Sequence, residues 1–236
     1  MAHGFQLSNA FSRVQVDQSS SAPRLIASGV SVSLGNNAHM VAYDTGYPLT
    51  QEPPIVMLRP HVAGKHVGGG AITLTGFLYY GQCSFDYAVF STLGTPVSDG
   101  SQYGMEVYRS DGSVAYSSRH THPRIRTLVS MPPTTALGGG YPKTAPLSGY
   151  TAMPWVQATS LIQTGLGQSE TSEGTGGVTA AIDATFTTLT IELTNMNPAF
   201  PGGAFPTLRS FIGAALAGDY DPYFGQPSFF SVGVAF

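Results

Sequence analysis

Thr185-Phe-Thr-Thr-Leu-Thr-Ile-Glu-Leu193 alternates apolar and polar side chains, with one slip. A period of two is typical of a strand that buries one face. Val30-Ser-Val-Ser-Leu34 alternates strictly, and Phe85-Asp-Tyr-Ala-Val-Phe90 contains the aromatic and β-branched residues that strands prefer. The 29 glycines and 17 prolines favour frequent turns over long helices. We therefore predict an all-β fold of sandwich-like or partly barrel-like modules, in which the best helix candidates are 155–164 and 207–217.

An internal repeat stands out in the first 130 residues. The segment 4–17 aligns without gaps to the segment 104–117. Each has a glycine, a short alternating strand, a polar turn and a second strand. In the second copy, Asp111-Gly112 suits a tight hairpin because glycine accepts a positive φ. We predict repeated hairpins at 4–17 and 104–117 within a β region 1–130, although any two hairpins share some of this pattern.

The remaining region, 131–236, has a different character. Glycine and proline punctuate 131–177, as in Pro132-Pro133 and Gly138-Gly-Gly140. This pattern predicts long ordered loops around one or two short elements, in contact with other subunits; a flexible linker fits equally well. The terminal stretch 229–236 alternates, which predicts a strand docked in a sheet of this chain or of a neighbouring subunit.

Charge is scarce over the whole chain. Charged residues make up 10% of the sequence, against about 25% in a typical soluble domain. A surface this neutral favours a protein that neighbouring chains cover, as in a homo-oligomer or a larger assembly. The net charge of −3 and the absence of a basic stripe argue against nucleic-acid binding. No stretch reaches the roughly 20 apolar residues of a spanning helix, and residues 1–17 predict no secretory signal.

Two histidines form the sharpest candidate site. His120 and His122 lie two apart, so on a strand they face the same side and could bind a transition metal, above all on a symmetry axis between chains. A surface loop before Pro123 is the simpler interpretation. His61 and His66 have no standard metal spacing, so we expect both to be exposed.

Enzyme motifs are missing from the sequence. It contains no Gly-x-Ser-x-Gly elbow and no phosphate-binding glycine loop, and its acidic residues are sparse. Cys83 is the single cysteine, so no disulfide can form within the chain. We therefore predict neither catalysis nor a cofactor.

Several aromatic residues are instead candidates for an interface. They lie in the glycine- and proline-rich loops or in the terminal strand, and are Tyr141, Tyr150, Trp155, Phe229, Phe230 and Phe236. The first three, if exposed, would also suit stacking on a sugar ring.

Three segments resemble a known family. The opening Met1-Ala-His-Gly-Phe-Gln-Leu7, the strand 85–90 and the segment 103–118 are similar, in the same order, to small structural proteins at the tail tip of long-tailed bacteriophages. The family often ends its last strand in Phe-Asp-Ser, where this chain has Tyr116-Ser-Ser118. The resemblance covers about the first half of the chain.

The resemblance implies a structural component of a phage virion, at the tail tip or baseplate. Such a protein is made in the bacterial cytoplasm, is incorporated into the virion tail, and contacts other virion subunits in several copies around a hub. A receptor-binding or carbohydrate-binding tail protein, with a host surface receptor as its partner, and a capsid decoration protein are the alternatives.

Overall fold

The chain folds almost entirely into β-strands. The computed structural model describes residues 6–8, 14–17, 22–42, 54–72, 76–97, 100, 103–131, 142–158, 163–167, 173–195 and 230–235. No α-helix occurs within these ranges, and the all-β prediction is confirmed. The described strands are β1 (Gln6–Ser8), β2 (Val14–Asp17), β3 (Arg24–Val30), β4 (Val32–Gly35), β5 (Ala38–Ala42), β6 (Ile55–Pro60), β7 (Val67–Ile72), β8 (Gly76–Gly81), β9 (Phe85–Ser91), β10 (Glu106–Tyr108), β11 (Val114–Ser117), β12 (Ile125–Met131), β13 (Lys143–Pro146), β14 (Trp155–Gln157), β15 (Gln163–Gly167), β16 (Glu173–Ile182), β17 (Thr188–Asn195) and β18 (Phe230–Ala235).

Two large antiparallel sheets dominate the architecture. The six-stranded sheet has the order β12-β18-β14-β6-β9-β3. The eight-stranded sheet has the order β13-β17-β16-β7-β8-β5-β4, with β15 added beside β16. Strands from both sides of residue 130 hydrogen bond within each sheet, and neither sheet closes into a barrel among the described strands.

Buried side chains hold the two sheets together as a sandwich. One cluster packs Leu58 of β6 against Val41 of β5 and Val67 of β7. A second packs Val156 of β14 against Ile191 of β17. All five side chains are fully buried, and burying a side chain of this size contributes about 1.5–3 kcal/mol. These two clusters therefore lie between the sheets and draw on both.

The predicted strand 30–34 is divided in two. β3 ends at Val30 in the six-stranded sheet, and β4 begins at Val32 in the eight-stranded sheet. Between them Ser31 is buried; its backbone N–H donates to the carbonyl of Phe85 (2.9 Å), and its Oγ accepts from the N–H of Phe85 (3.1 Å). A strict alternation cannot reveal this crossing, because the period of two continues through it.

The two segments of the internal repeat form hairpins with the same register. β1 pairs with β2 as Gln6↔Asp17 and Leu7↔Val16, and its ladder shifts after Leu7. β10 pairs with β11 in the same way, one hundred positions later, and its ladder shifts after Val107. Gly112 has a φ of 82°, as the predicted turn requires.

The region 131–177 contains more sheet than we predicted. It holds β13, β14, β15 and the beginning of β16, and β14 and β15 occupy parts of the helix candidate 155–164. The glycines of β15 and β16 have no side chains, so they produce no period-two signal. The second helix candidate, 207–217, lies outside the described residues. Among those residues, no helix is long and apolar enough to cross a membrane.

Candidate functional site

The β10–β11 hairpin carries a polar cluster centred on Glu106. The carboxylate accepts hydrogen bonds from the hydroxyl of Tyr108, from the guanidinium of Arg119 and, at 3.3 Å, from the hydroxyl of Ser117. The bond from Tyr108, followed by that from Arg119, lowers the pKa of Glu106 below its ordinary value. The carboxylate is therefore ionised and fully occupied, and it is poorly suited to act as a proton donor.

His122 fastens this hairpin to the segment before β3. Its Nδ1 lies 2.8 Å from the carbonyl oxygen of Pro23, and its Nε2 lies 2.9 Å from that of Ser117. The ring also stacks on Tyr116, with 4.8 Å between the ring centroids and an interplanar angle of 13°. Since both nitrogens face carbonyl oxygens, neither is directed at an open position where a metal could bind.

His120 has a different environment from its neighbour. Its Nδ1 is buried without a hydrogen-bond partner. Burial, together with the nearby charge of Arg24, lowers the pKa of His120. No group of three or more His, Cys, Asp or Glu side chains is placed to hold a metal ion in the described part of the chain. Metal binding by the pair stays a prediction that depends on a neighbouring chain.

A second polar cluster lies on the outer face of the six-stranded sheet. The β6–β9 register places Arg59 opposite Asp86. Asp86 accepts hydrogen bonds from Arg59 Nε (2.9 Å) and Nη2 (2.5 Å) and from His61 Nε2 (2.7 Å). Burial acts to raise the pKa of Asp86, but the hydrogen bonds from His61 and Arg59 outweigh it and lower that pKa. The Arg59 guanidinium also lies over the ring of Trp155, 4.7 Å from its centroid.

A hydroxyl, an imidazole and a carboxylate line up at the β16–β17 ladder. His66 Nδ1 is 3.1 Å from Thr179 Oγ1, and His66 Nε2 is 3.2 Å from Glu192 Oε2. This order is that of a catalytic triad. However, Thr179 is fully buried, so its oxygen cannot reach a substrate. Only 14% of the His66 side chain is exposed, so our expectation of an exposed His66 is wrong.

The predicted interface residues have different positions. Tyr150 is buried in the core beside Leu147, and its hydroxyl donates to Thr127 Oγ1 at 2.9 Å, so it is not an exposed aromatic residue. Trp155 is half-buried. Phe230 begins β18, which lies between β12 and β14 of its own chain, so the terminal strand is docked in a sheet of this chain. The other three predicted residues, Tyr141, Phe229 and Phe236, lie outside the described residues.

The Arg59–Asp86 cluster and the His66–Thr179–Glu192 arrangement escaped sequence reasoning. Arg59 and Asp86 are 27 positions apart, and His66 and Thr179 are 113 positions apart, so only the strand pairing brings them together. One signal was present: Asp86 is the single charged residue of the otherwise apolar strand 85–90. A lone carboxylate on a sheet face usually has a cationic partner on the neighbouring strand.

Exposed large apolar or aromatic side chains are concentrated in two places on the part of the surface that the structure describes. In the β10–β11 hairpin and the residues before it, Tyr103 is 88%, Met105 47% and Tyr108 54% exposed. At the β3–β4 crossing, the three such residues are Val30, Val32 and Leu34.

Comparisons with models of protein families, with curated proteins and with solved structures found no match to this chain. The site must therefore be interpreted from its own geometry.

Proposed function

We propose that this chain is a non-enzymatic structural subunit that acts by assembling with other proteins. The observation that carries the proposal is the exposure of Tyr103, Met105 and Tyr108, which all lie in the six residues 103–108 at the beginning of the β10–β11 hairpin. Isolated exposed apolar residues are ordinary, but a concentration of them on a chain with 10% charged residues is typical of a surface that a partner covers. Tyrosine and methionine are also enriched where proteins meet.

The assembly that we propose is a bacteriophage virion, at the tail tip or baseplate. Support for this part comes from the sequence resemblance of the opening segment, the strand 85–90 and the segment 103–118. The third of these segments contains the exposed side chains of the hairpin, so resemblance and exposure coincide there.

Two of the three aromatic residues considered for sugar stacking are poorly placed for it. Sugar stacking needs an aromatic ring with a free face in an open position. Tyr150 is buried, and one face of Trp155 is covered by Arg59. A structural role also agrees with the burial of Thr179. Its hydroxyl is the only nucleophile in the triad-like arrangement with His66 and Glu192 among the described residues, and it cannot reach a substrate.

Incorporation into particles tests the proposal. The chain is produced together with the other virion proteins, particles are purified, and the chain is quantified by mass spectrometry. We expect the native chain in the particles, and a reduction of at least about tenfold for the double variant Tyr103→Ser/Met105→Ser, since each side chain would lose about 1.5–3 kcal/mol of apolar burial.

The matched control is Val62→Ser, which alters a side chain that is 48% exposed in a loop outside the hairpin. It should leave incorporation unchanged. A chain that is absent from the particles, or a double variant incorporated as well as the control, would contradict the proposal. Labelling of the particles distinguishes a tail position from capsid decoration.

A further inference from the structure

Among the strands that the structure describes, one edge of each sheet lies at the same point of the chain. β3 is the last strand of the six-stranded sheet and β4 is the last strand of the eight-stranded sheet, and only Ser31 separates them in the chain. The second half of β3 and all four residues of β4 are exposed. We call residues 28–35 the open edge. Val30 is 56%, Val32 57% and Leu34 53% exposed along it.

Other edge strands of the two sheets carry features that hinder pairing with another chain. Natural proteins protect edge strands with charged residues, prolines or covering segments. β13 contains Lys143 and Pro146, and β12 contains Arg126. The first half of β3 is covered, because the N–H of Leu25 donates to the carbonyl of Thr121 and the N–H of Val97 donates to that of Leu25.

The open edge has neither charge nor proline. From residue 25 to residue 43 the sequence contains no Asp, Glu, Lys, Arg or Pro. An exposed edge strand with alternating Val and Leu is suited to receive another strand. β4 is short, its ladder shifts between Ser33 and Gly35, and the N–H of Gly35 donates to Ser33 Oγ (3.3 Å), so the pairing would start from Val32 and Ser33.

We propose that β4 pairs antiparallel with β4 of a second copy of this chain about a two-fold axis, which continues the eight-stranded sheet across a dimer. This inference rests on the proposed function of assembly and names one partner for it. A two-fold contact requires a surface that is compatible with itself. The uncharged edge meets this requirement, because its copy brings no like charge, and it sets Val32 and Leu34 beside apolar residues of the same kind.

The mass of the isolated chain in solution tests the dimer. Sedimentation velocity over a range of concentrations should show a monomer–dimer equilibrium. Val32→Lys should raise the dissociation constant at least about tenfold, because the two-fold axis brings a lysine of each chain onto neighbouring strands of the joined sheet. Val62→Lys is the matched control, since Val62 is 48% exposed but lies away from the open edge, and it should dimerise as the native chain does. A native chain that is monomeric at every concentration, or a dimer that tolerates Val32→Lys, overturns the proposal.

Cross-linking provides a second test on a minimally altered chain, so that it holds even if Val32→Lys unfolds. In a Cys83→Ser background, single cysteines are placed at positions 32, 33, 34 and 62. Directly opposed residues of an antiparallel pair lie about 4.5–5.5 Å apart between Cα atoms, within the range of a disulfide. Mild oxidation should join two chains through at least one of positions 32–34 and not through position 62. The absence of such dimers, or equal cross-linking through position 62, overturns the proposal.

The two proposals can fail separately. The dimer is measured on the isolated chain, whereas the structural role is measured by incorporation into particles through the hairpin. If the chain enters particles but stays monomeric and uncross-linked alone, the open edge receives a different virion protein and the dimer is refuted. If the dimer forms but the chain never enters particles, the virion role is refuted and the dimer stands.

Discussion

Replacement of Ser31 by alanine should destabilise the chain far more than the loss of one oxygen suggests. Ser31 Oγ accepts from the N–H of Phe85 (3.1 Å) and lies 3.1 Å from His39 Nδ1. His39 Nε2 lies 3.1 Å from the carbonyl oxygen of Gly81. Since a carbonyl can only accept, Nε2 carries the proton, and Nδ1 accepts the hydroxyl proton of Ser31. A continuous chain of hydrogen bonds therefore runs from the N–H of Phe85 through Ser31 and His39 to the carbonyl of Gly81.

The size of the expected loss of stability follows from the two groups that lose the hydroxyl of Ser31 as their hydrogen-bond partner in Ser31→Ala. The N–H of Phe85 and Nδ1 of His39 are both buried, and an unsatisfied buried polar group costs about 1–3 kcal/mol. We expect the free energy of unfolding to fall by about 2–4 kcal/mol, since two such groups are affected. Ser28→Ala is the matched control, in the neighbouring strand β3. Ser28 is exposed, so its replacement should change stability by no more than about 0.5 kcal/mol.

Urea denaturation at pH 7.5, followed by the fluorescence of the single tryptophan, measures both variants. The variant His39→Leu and the double variant Ser31→Ala/His39→Leu complete a mutant cycle, in which we expect a coupling of at least about 1 kcal/mol. A loss for Ser31→Ala no larger than for Ser28→Ala would refute the argument. So would strictly additive effects of the two changes at positions 31 and 39.

Two further predictions concern pH. Burial lowers the pKa of His39 from its ordinary value of 6.5, so as the pH falls the unfolded chain protonates this imidazole before the folded chain does, and the free energy of unfolding should decline below about pH 6.5. In urea denaturation at several pH values between 7 and 5, the free energy of unfolding of His39→Leu should decline less steeply with falling pH than that of the native chain. An equally steep decline would contradict the prediction. The hydroxyl of Thr185, aided by the backbone N–H groups of Thr188 and Thr187, lowers the pKa of Asp183 from 3.8 to about 2. Its stabilisation is therefore present above about pH 4 and lost as the pH falls towards 2. In thermal unfolding, Asp183→Asn should melt below the native chain at pH 7 and together with it near pH 2, and equal melting temperatures at pH 7 would count against the prediction.

The sequence predicts the fold class because its strands bury one face. The alternation in 185–193 and the apolar run 85–90 identify β17 and β9, which both supply buried side chains to the core. Even the slip in 185–193 has a structural meaning: residues 183–187 form a turn, Phe186 has a φ of 58°, and β17 begins only at Thr188. The side-chain period therefore indicated both the strand and its limit.

The candidate sites could not be predicted to the same degree. A polar cluster such as Arg59 and Asp86 depends on which strands are neighbours and in which register, and local alternation contains neither fact. His120 and His122 illustrate the same limit. Their spacing suggests two rings on one face. In the structure, however, the nitrogens of the His122 ring lie beside the backbone carbonyl oxygens of Pro23 and Ser117.

The repeated hairpins connect the fold with the proposed role in assembly. An isolated two-stranded hairpin is at best marginally stable in water, so its stability must come from contacts outside it. For β10–β11 one side is supplied within the chain, because the N–H of Ala22 donates to the carbonyl of Ala115 and His122 joins Pro23 to Ser117. On this hairpin and just before it, Tyr103, Met105 and Tyr108 are still exposed. A hairpin held by its own chain on one side, with large apolar and aromatic side chains still exposed, gains further stability when a partner covers them, and that gain is the physical basis on which this chain would assemble.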